Sequence, residues 1–251
     1  MINNKKIAVV LPAYNAAKTL RKTVEEIPHE IVDFVILTDD KSSDLTLTIA
    51  RELKIAYIIS HEDNLGYGAN QKTCYDKAIS LGADIIVMLH PDYQYTPRLI
   101  HSMCYLIANG LFHVVLGSRI LGRGALIGGM PVYKYISNRI LTFIQNILLN
   151  HKLSEYHTGF RAYSREVLEK INYKSNSDNY IFDNQLLTQI IYFNYDIGEI
   201  SCPTKYEKES SSINFMNSIV YGFGVLKVSF QFLFQKTKLL HFELFAGDNI
   251  L

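Results

Sequence analysis

Three side chains that can bind a metal alternate at the end of an apolar run near the middle of the chain. The stretch VMLHPDYQY, residues 87–95, places His90, Asp92 and Gln94 at every second position. Side chains alternate across an extended segment, so these three are expected to point to the same side. An imidazole, a carboxylate and an amide oxygen together suit Mn²⁺ or Mg²⁺, whose remaining positions a diphosphate can fill. A Pro-Asp turn with His90 packed beneath it is the alternative interpretation.

The first 120 residues predict the elements that must position these groups, because short β-branched runs alternate there with segments of helical periodicity. The runs are IAVVL (7–11), FVIL (34–37), AYII (56–59), IIVML (85–89) and HVVLG (113–117). Continuous apolar strands joined by helices predict an α/β fold with a mostly parallel central sheet flanked by helices on both faces. Such sheets bind ligands beyond the carboxyl ends of their strands.

Polar segments follow the first four predicted strands, as a site at that edge requires. They are PAYN (12–15), TDDKSSD (38–44), SHEDNLGYGAN (60–70) and HPDYQ (90–94). In the second segment Ser43 or Asp44 is expected to cap the next helix. One of the paired carboxylates, Asp39 or Asp40, then stays free to accept the imide N–H of uracil or the N–H groups of guanine.

The glycines of NLGYGAN permit a close backbone approach by a ligand at Gly66 and Gly68. The third glycine of a dinucleotide-binding fingerprint is missing, which disfavours a dehydrogenase that transfers hydride on a similar layered sheet.

The second half of the chain is less regular. Residues 126–150 predict a helix, residues 182–193 predict another, and IGEISCPTKY (197–206) reads as an extended stretch. Ile136, Ile140, Phe143, Ile144 and Ile147 share the apolar side of the first helix. We expect one domain over residues 1–215 and a helical, aromatic C-terminal extension packed on it over residues 216–251.

Composition narrows the classes of partner and compartment. A formal net charge of +1 gives no electrostatic support for a nucleic-acid partner. Three widely spaced cysteines favour packing roles in a reducing cytosol over a disulfide framework. The apolar run that ends at Pro12 is shorter than the ~7–15 residues of a signal-peptide core. No stretch approaches the ~20 apolar residues needed to cross a bilayer.

Six motifs occur in an order that resembles the family 2 glycosyltransferases, over roughly residues 5–210. They are VVLPAYNAAKTL, ILTDDKSSDLT, NLGYGAN, VMLHPDYQY, LGSRI and HTGFRAYSREVL. The closest likeness is to the dolichyl-phosphate mannose synthase-like branch, which has the GT-A nucleotide-binding fold. The resemblance implies that a sugar moves with inversion from a nucleotide diphosphate sugar, UDP- or GDP-linked, to a hydroxyl or a polyprenyl-phosphate acceptor in glycan or cell-envelope synthesis.

The resemblance also assigns residues at the donor end. It implies that the base and ribose of the donor nucleotide are bound by Pro12, Ala13, Tyr14, Asn15 and Asp40, with Gly66 nearby. HPDYQ occupies the place of the family's Asp-x-Asp motif, so Asp92 matches the second aspartate, Gln94 the following glutamine, and His90 replaces the first aspartate. A neutral histidine is still a legitimate metal ligand, so a weaker divalent site is expected.

On the catalytic side, the resemblance implies that Arg119 faces the donor phosphates or the acceptor, with a structural arginine as the alternative. Asp183 stands near the position of the catalytic acid, with a helix N-cap as the alternative, and Glu155 is the second choice of general base. Gly159 and Arg161 match positions that line the acceptor side. The loop that closes over the pyrophosphate is matched by residues 203–215, with Lys205, Lys208 and Ser210–Ser212 as contacts to phosphate oxygens.

Two questions stay open from the sequence. Because His90 replaces the first aspartate of the family motif, the alternative is a catalytically inactive protein that binds nucleotide sugars. The aromatic segment 216–245, with Lys227, Lys236 and Lys238, suits either a helix on a membrane surface or a helix packed in the protein or at a dimer contact. The expected location is the cytoplasm, with a peripheral position at the inner face of the membrane under the first interpretation.

Overall fold

A computed structural model describes residues 1–206 and 215–246 of the chain. The strands are β1 (Ile7–Ala13), β2 (Phe34–Asp39), β3 (Tyr57–Ser60), β4 (Ile85–Met88), β5 (Val114–Ser118), β6 (Arg161–Ser164) and β7 (Ile197–Ser201). They form one seven-stranded sheet in the order β3-β2-β1-β4-β6-β5-β7. Only β6 is antiparallel to its neighbours, β4 and β5, and the other pairs are parallel. The predicted mostly parallel sheet is confirmed, while β6 is a strand that the sequence did not indicate.

Helices cover both faces of this sheet. They are α1 (Leu20–Glu25), α2 (Thr46–Glu52), α3 (Tyr67–Ser80), α4 (Ile100–Ala108), α5 (Gly124–Ile127), α6 (Val132–Leu148), α7 (Arg165–Lys170), α8 (Phe182–Tyr192) and α9 (Phe215–Lys236). Alternate residues of β1 enter different cores: Val10 packs with α3 and α8 on one face, and Val9 packs with α1 and α4 on the other. All three cysteines are buried and unpaired.

The helix predicted within residues 126–150 is α6, but its orientation is unusual. Its buried side chains are polar: Asn138, Thr142 and Gln145. Ile136 and Phe143, from the apolar side, are 51% and 66% exposed. The apolar side of α6 therefore faces outward while a polar side faces the protein.

The C-terminal helix α9 packs against α6 and α8. Val225, Val228 and Phe232 are buried, and the last two belong to the same core as α3 and α8. A domain boundary between residues 215 and 216 stays a prediction. Among the described helices, none is long and apolar enough to cross a membrane.

Candidate active site

A cavity of about 780 Å³ lies at the carboxyl ends of the parallel strands. Each of the first five strands leads to a residue of its lining: Pro12 near the end of β1, Asp40 after β2, Gly66 after β3, Asp92 after β4 and Arg119 after β5. Residues of α6, α8 and α9 complete the walls. The polar segments that the sequence assigned to one sheet edge therefore meet in one place.

Most of the predicted site residues line this cavity. They are Pro12, Tyr14, Asn15, Asp40, Gly66, His90, Asp92, Gln94, Arg119, Gly159 and Asp183. The lining that the structure describes does not include Ala13, Glu155, Arg161 or Lys205. Lys205 is exposed, and its backbone N–H lies 3.2 Å from the carbonyl oxygen of Gln94. Lys208 and Ser210–Ser212 lie outside the described residues.

The carboxylate of Asp40 is almost fully buried and holds the loop that follows β3. Its Oδ1 accepts the Leu65 N–H at 2.9 Å and lies 2.8 Å from Nδ1 of His61. Its Oδ2 accepts the Gly66 N–H at 2.9 Å. The expectation of a free carboxylate is therefore wrong for Asp40, although Oδ2 keeps room for one more donor.

The neighbouring polar groups are also engaged within the protein. One oxygen of Asp39 accepts the Ser42 N–H, while the other is buried without a partner among the described residues. Asp44 accepts the N–H of Thr46, the first residue of α2, at 2.9 Å. The N-cap position itself is Leu45, so the predicted N-cap at Ser43 or Asp44 is wrong, although Asp44 binds the first N–H of the helix from one residue further out.

The glycines of NLGYGAN allow a close approach of the chain's own backbone, where the sequence predicts a ligand. Gly66 has a φ of +100°, and a Cβ there would lie 2.7 Å from the carbonyl oxygen of Asp178. A Cβ on Gly68 would lie 2.3 Å from the carbonyl oxygen of Ser177. Any larger residue would push the 177–178 segment away from the start of α3.

A hydrogen-bonded chain links the end of β4 to the start of α8 through Tyr67. The Tyr67 hydroxyl donates to Oδ2 of Asp183 at 2.6 Å and lies 3.0 Å from Nε2 of His90. Burial, followed by the charge of Asp183, raises the pKa of Tyr67 well above its usual value, so the phenol keeps its proton. Because that proton points to Asp183, Nε2 of His90 donates to the Tyr67 oxygen, and Nδ1 is the ring nitrogen left for another contact.

Asp183 keeps an unsatisfied oxygen inside this arrangement. It lies in the first turn of α8, and no side chain caps that helix. Its Oδ1 is buried and has no hydrogen-bond partner among the described residues. The N-cap alternative is therefore wrong, and Asp183 is a cavity carboxylate with one oxygen able to accept a proton donor.

Arg161 lies beneath Asp183 and is fully buried. Its guanidinium donates to three backbone carbonyls, those of Tyr156, Thr158 and Asp183, at 3.1, 2.7 and 2.6 Å. It therefore fixes the backbone around the start of α8 and does not line the cavity.

The donors at the end of β4 suit a cation that is shared with a bound ligand. Gln94 is 7% exposed, and its side-chain amide has no hydrogen-bond partner in the described part of the chain. Asp92 lies beside it and accepts the Gln94 N–H at 3.1 Å. The described residues contain no group of three His, Cys, Asp or Glu side chains arranged for a metal. One carboxylate, one amide and one imidazole, from Asp92, Gln94 and His90, are donor types that Mg²⁺ or Mn²⁺ accepts, and a bound diphosphate would have to supply the further oxygens.

Arg119 is oriented by a carboxylate that is itself fully buried. Its Nε donates to Oε1 of Glu155 at 2.8 Å, its Nη2 contacts the same oxygen, and its backbone N–H donates to Oε2 at 2.9 Å. Asn138 of α6 donates to Glu155 at 2.8 Å. Burial alone raises the pKa of Glu155, but the charge and hydrogen bonds of Arg119 together lower it, so the carboxylate is ionised.

The pKa of Arg119 moves the opposite way. Burial alone lowers it, but Glu155 and the neighbouring Tyr95 and Tyr206 raise it well above its usual value. Partial burial, and then the charge of Arg119, lower the pKa of Lys134, which lines the cavity from α6. The cavity is thus lined by the permanent positive charge of Arg119.

Several further lining residues were given no role in the sequence, and four of them carry hydrogen bonds within the site: Tyr67, His157, Tyr206 and Tyr221. Tyr206 accepts a hydrogen bond from Nη1 of Arg119 at 3.0 Å. Nδ1 of His157 lies 2.9 Å from the Tyr221 hydroxyl, while its Nε2 is buried without a described partner. Burial lowers the pKa of His157 to about 4. Three of them carried a signal that could have found them: His157 lies inside the HTGFRAYSREVL motif, Tyr67 inside NLGYGAN, and Tyr206 inside the matched segment 203–215.

The family model for Glycosyl transferase family 2 matches residues 8–172. Among curated proteins, the chain is 28% identical over 238 residues to the UDP-N-acetylglucosamine–dolichyl-phosphate N-acetylglucosaminyltransferase of Methanococcus voltae, covering 88% of this chain and 94% of the relative. It is 25% identical over 199 residues to the polyprenol monophosphomannose synthase of Mycolicibacterium smegmatis, covering 76% and 74%.

Among solved structures, the fold is similar to glucosyl-3-phosphoglycerate synthase from Mycobacterium tuberculosis in complex with UDP. The TM-score is 0.70 at 18% identity, with 92% of this chain and 80% of that chain covered. The same enzyme with Mn²⁺, UDP and glucosyl-3-phosphoglycerate gives a TM-score of 0.67 at 17% identity, again covering 92% and 80%.

A sheet-edge cavity of this kind, on this fold, defines a nucleotide-dependent α/β enzyme of the GT-A type. The chain belongs to glycosyl transferase family 2. It is a glycosyltransferase, and the likeness to the dolichyl-phosphate mannose synthase branch is confirmed by the curated relatives.

Proposed function

We propose that the enzyme moves a sugar, with inversion and with the help of a divalent cation, from a UDP-linked donor to a polyprenyl phosphate. The observation that carries this proposal is the shape of the cavity. It joins the polar sheet edge at Asp40 and Asp92 to a cleft between α6 and α9 that Ile140, Leu141 and Ile219 line. A polar nucleotide sugar and an apolar chain with a charged head would each have a matching end.

The donor would lie along the carboxyl ends of β1 and β2. Pro12, Tyr14 and Asn15 would contact the nucleoside, and the remaining acceptor position of Asp40 Oδ2 would take the uracil imide N–H. The M. voltae relative, whose name gives a UDP-sugar donor, and the UDP complex of the fold neighbour support uridine over guanosine.

The diphosphate would lie between the end of β4 and Arg119. Asp92, Gln94 and His90 would hold Mg²⁺ or Mn²⁺, which neutralises charge on the leaving diphosphate when bound. Arg119, fixed by Glu155 and Tyr206, would supply a permanent positive charge to the same group. In this assignment Glu155 positions Arg119 and is not a general base, because both its oxygens are engaged and it is fully buried.

Lys205 would contribute from the exposed segment beside Gln94. The backbone contact between Lys205 and Gln94 supports this role, although Lys205 is outside the described lining of the cavity. Lys208 and Ser210–Ser212 keep the same proposed role, as groups that close over the diphosphate.

The acceptor would enter through the cleft between α6 and α9. A phosphate is already an anion and needs no general base, so Asp183 would instead accept a hydroxyl of the donor sugar through Oδ1. Both curated relatives carry a polyprenol or dolichyl phosphate in their names or products, which supports this class of acceptor. A hydroxyl acceptor would require a base, and Asp183 is then the carboxylate within reach of the cavity.

The test is a transfer assay with radiolabelled UDP-sugars and GDP-sugars, with Mn²⁺ or with EDTA. Undecaprenyl or dolichyl phosphate in detergent is offered beside water-soluble sugar alcohols. We expect metal-dependent appearance of label in an organic-soluble, acid-labile product with a UDP-sugar only. Label in the soluble hydroxyl acceptors would contradict the phosphate acceptor, and donor binding without transfer to any acceptor would favour the inactive nucleotide-sugar-binding protein.

A further inference from the structure

Tyr67, the first residue of α3, is held in place by the backbone on both sides of it. The N–H of Gly66 donates to Oδ2 of Asp40 at 2.9 Å. The N–H of Gly68 donates to the carbonyl oxygen of Asp178 at 2.7 Å. The position of the Tyr67 side chain in the cavity wall is therefore fixed from its own backbone.

The Tyr67 ring contacts two other rings of the cavity lining. It is stacked on the imidazole of His90, with ring centroids 5.4 Å apart and planes 23° from parallel. It also lies 5.0 Å from the ring of Tyr180, which is 43% exposed. Both contacts are made by the ring, so Tyr67→Phe keeps them and removes only the hydroxyl.

That hydroxyl joins two groups that compete for its single proton. The carboxylate of Asp183 accepts only, so it takes the proton through Oδ2 at 2.6 Å. Nε2 of His90, 3.0 Å from the same hydroxyl, then donates to the phenol oxygen. The hydrogen bonds therefore run in one direction, from His90 through Tyr67 to Asp183. We call these three side chains the tyrosine bridge.

The tyrosine bridge requires a hydrogen-bond donor at position 90. An aspartate there, as in the family motif, would only accept and would compete with Asp183 for the Tyr67 proton. It would also place a second negative charge beside Asp183. Space for the imidazole depends on Gly159, where a Cβ would lie 2.6 Å from Nε2 of His90. The histidine at this position thus has a role that is separate from metal binding.

The tyrosine bridge leaves one oxygen of Asp183 for a ligand. Tyr67 holds Oδ2, and Arg161 donates to the backbone carbonyl of Asp183 at 2.6 Å. Oδ1 is buried and has no hydrogen-bond partner among the described residues, although Asp183 lines the cavity. An unpaired buried acceptor is costly, and a hydroxyl of a bound ligand would remove that cost.

A carboxylate that cannot rotate accepts a hydroxyl from one direction only. A site built to bind a particular hydroxyl rejects a ligand that lacks it, because the acceptor then stays unpaired. We infer that Tyr67 sets the sugar selectivity of the enzyme, by fixing Asp183 so that Oδ1 accepts one particular hydroxyl of the donor sugar. Tyr67 acts through Asp183 and is therefore a positioning residue.

The inference rests on the proposed function for the contact between Asp183 and the donor sugar, and it is independent of the acceptor. Titration calorimetry in Mn²⁺ without acceptor first ranks UDP, UDP-glucose, UDP-galactose, UDP-N-acetylglucosamine and UDP-N-acetylgalactosamine. The sugar that binds most tightly is then compared with its deoxyfluoro analogues, each of which has fluorine in place of one hydroxyl. We expect one analogue to bind the native enzyme about tenfold or more weakly than the parent sugar.

Tyr67→Phe should keep the native affinity for UDP and reduce this difference to about threefold or less, because Asp183 is then free to rotate. Asp183→Asn should reduce it as well, and the double variant should lose no more than Asp183→Asn alone, since both changes remove one interaction. Melting temperatures of the variants check that each one is folded.

The matched control removes an equivalent hydrogen bond elsewhere. The Tyr173 hydroxyl donates to Oδ1 of Asp76 at 2.6 Å, and Tyr173 does not line the cavity. Tyr173→Phe should leave the affinities for UDP and for every UDP-sugar at their native ratios. An equal loss of discrimination in this control would overturn the inference. So would native discrimination in Tyr67→Phe, an equal loss of UDP affinity, or a native enzyme that binds every analogue as tightly as the parent sugar.

A second variant tests the bridge from its other end. His90→Asp restores the residue of the family motif, and it should lose sugar discrimination as Tyr67→Phe does. Its affinity for UDP with Mn²⁺ should stay at or above the native value, because a carboxylate is also a metal ligand. Native discrimination in His90→Asp would overturn the need for a donor at position 90.

Transfer assays separate this outcome from that of the proposed function. If no acceptor receives sugar but Tyr67→Phe binds UDP-sugars without discrimination, the proposed transfer fails and the tyrosine bridge stands. If Tyr67→Phe transfers sugar to a polyprenyl phosphate with the native preference among donors, the proposed function stands and the inference fails.

Discussion

Single residues decide how much negative charge the site offers to a cation. Where the family pattern has its first aspartate, this chain has His90, whose Nε2 lies 3.0 Å from the Tyr67 hydroxyl. Asp92 is therefore the one carboxylate among the three proposed ligands. The consequence is that metal-dependent donor binding should depend on Asp92 more steeply than on His90 or Gln94.

We predict that Asp92→Asn weakens UDP binding in the presence of Mn²⁺ by about tenfold or more, because the isosteric amide has no charge. Without metal, the affinity for UDP should be nearly the same in the variant and the native enzyme. Titration calorimetry with and without Mn²⁺ measures both quantities. Asp196→Asn, at a side chain that is 74% exposed, is the matched control. Equal Mn²⁺ dependence in the native enzyme and Asp92→Asn would remove Asp92 from the metal site.

His157 predicts a pH dependence of folding stability. Burial lowers its pKa to about 4 from 6.5, so in acid the unfolded chain binds this proton first. The free energy of unfolding should therefore fall as the pH drops from about 6.5 to about 4, by at most roughly 2 kcal/mol between pH 7 and pH 5. Urea unfolding at both pH values measures the loss, which should shrink in His157→Gln. An unchanged difference between the two pH values in that variant would show that His157 titrates normally.

Residue roles could be read from the sequence only where a local pattern carried them. His90, Asp92 and Gln94 do line one cavity, but the extended segment predicted for them is wrong, because β4 ends at Met88 and Tyr93 has a φ of +57°. The bond from Tyr67 to Asp183 joins residues 116 positions apart, and no local pattern encodes it. The burial of Glu155 against Arg119 could not be predicted either, because the sequence does not show whether a carboxylate on a loop faces a substrate or a guanidinium.

At the scale of elements, α6 is the helix that most depends on its surroundings. Its inner side meets polar partners: Asn138 donates to Glu155, and Gln145 exchanges hydrogen bonds with Asn184 of α8 at 3.3 and 3.2 Å. These contacts replace the hydrophobic packing that normally fixes a helix on a domain. Substitution should therefore have effects opposite to those on an ordinary amphipathic helix.

We predict that Gln145→Leu destabilises the fold by about 1–3 kcal/mol, because the buried Asn184 amide loses its partner. Phe143→Ser, two residues away and 66% exposed, should change the free energy of unfolding by less than about 0.5 kcal/mol. Denaturant unfolding in the absence of lipid compares the two. A larger loss from Phe143→Ser than from Gln145→Leu would mean that the apolar side of α6 is the buried one.

The strands and helices of the first half were predictable from local patterns. Short, continuous apolar runs indicate buried strands there, and the segments of helical periodicity between them indicate the helices that cover the sheet. For α6, the periodicity identified an apolar side, but it could not say whether that side meets the protein or the outside. β6 was missed because its four residues, Arg161–Ser164, begin with a charged side chain that is fully buried. The Arg161 guanidinium donates to three backbone carbonyls, two of them in the preceding loop. Only folding brings these carbonyls around the guanidinium, so the sequence does not show that the charge can be buried.

At the scale of the whole molecule, a ligand held between five strand ends and three helices can bind only the folded chain. We predict that UDP with Mn²⁺ raises the melting temperature, with a gain in stability of about 2.7 kcal/mol at a hundred times the dissociation constant. GDP, CMP and dTDP at the same concentration should give smaller shifts. Differential scanning fluorimetry with each nucleotide, with and without Mn²⁺, is the measurement. A larger metal-dependent shift with GDP would reassign the base that Asp40 contacts.

The position of β6 between β4 and β5 also orders the steps of folding during synthesis. β3, β2, β1 and β4 are neighbours in the sheet and are all encoded within the first 88 residues, so their mutual pairing needs no later strand. β5 pairs only with β6 and β7, which are encoded later. At ~5–20 residues per second, β5 and the open edge of β4 wait several seconds for residues 161–164. That interval, in the nascent chain, is when a chaperone would find the most unpaired apolar strand to hold.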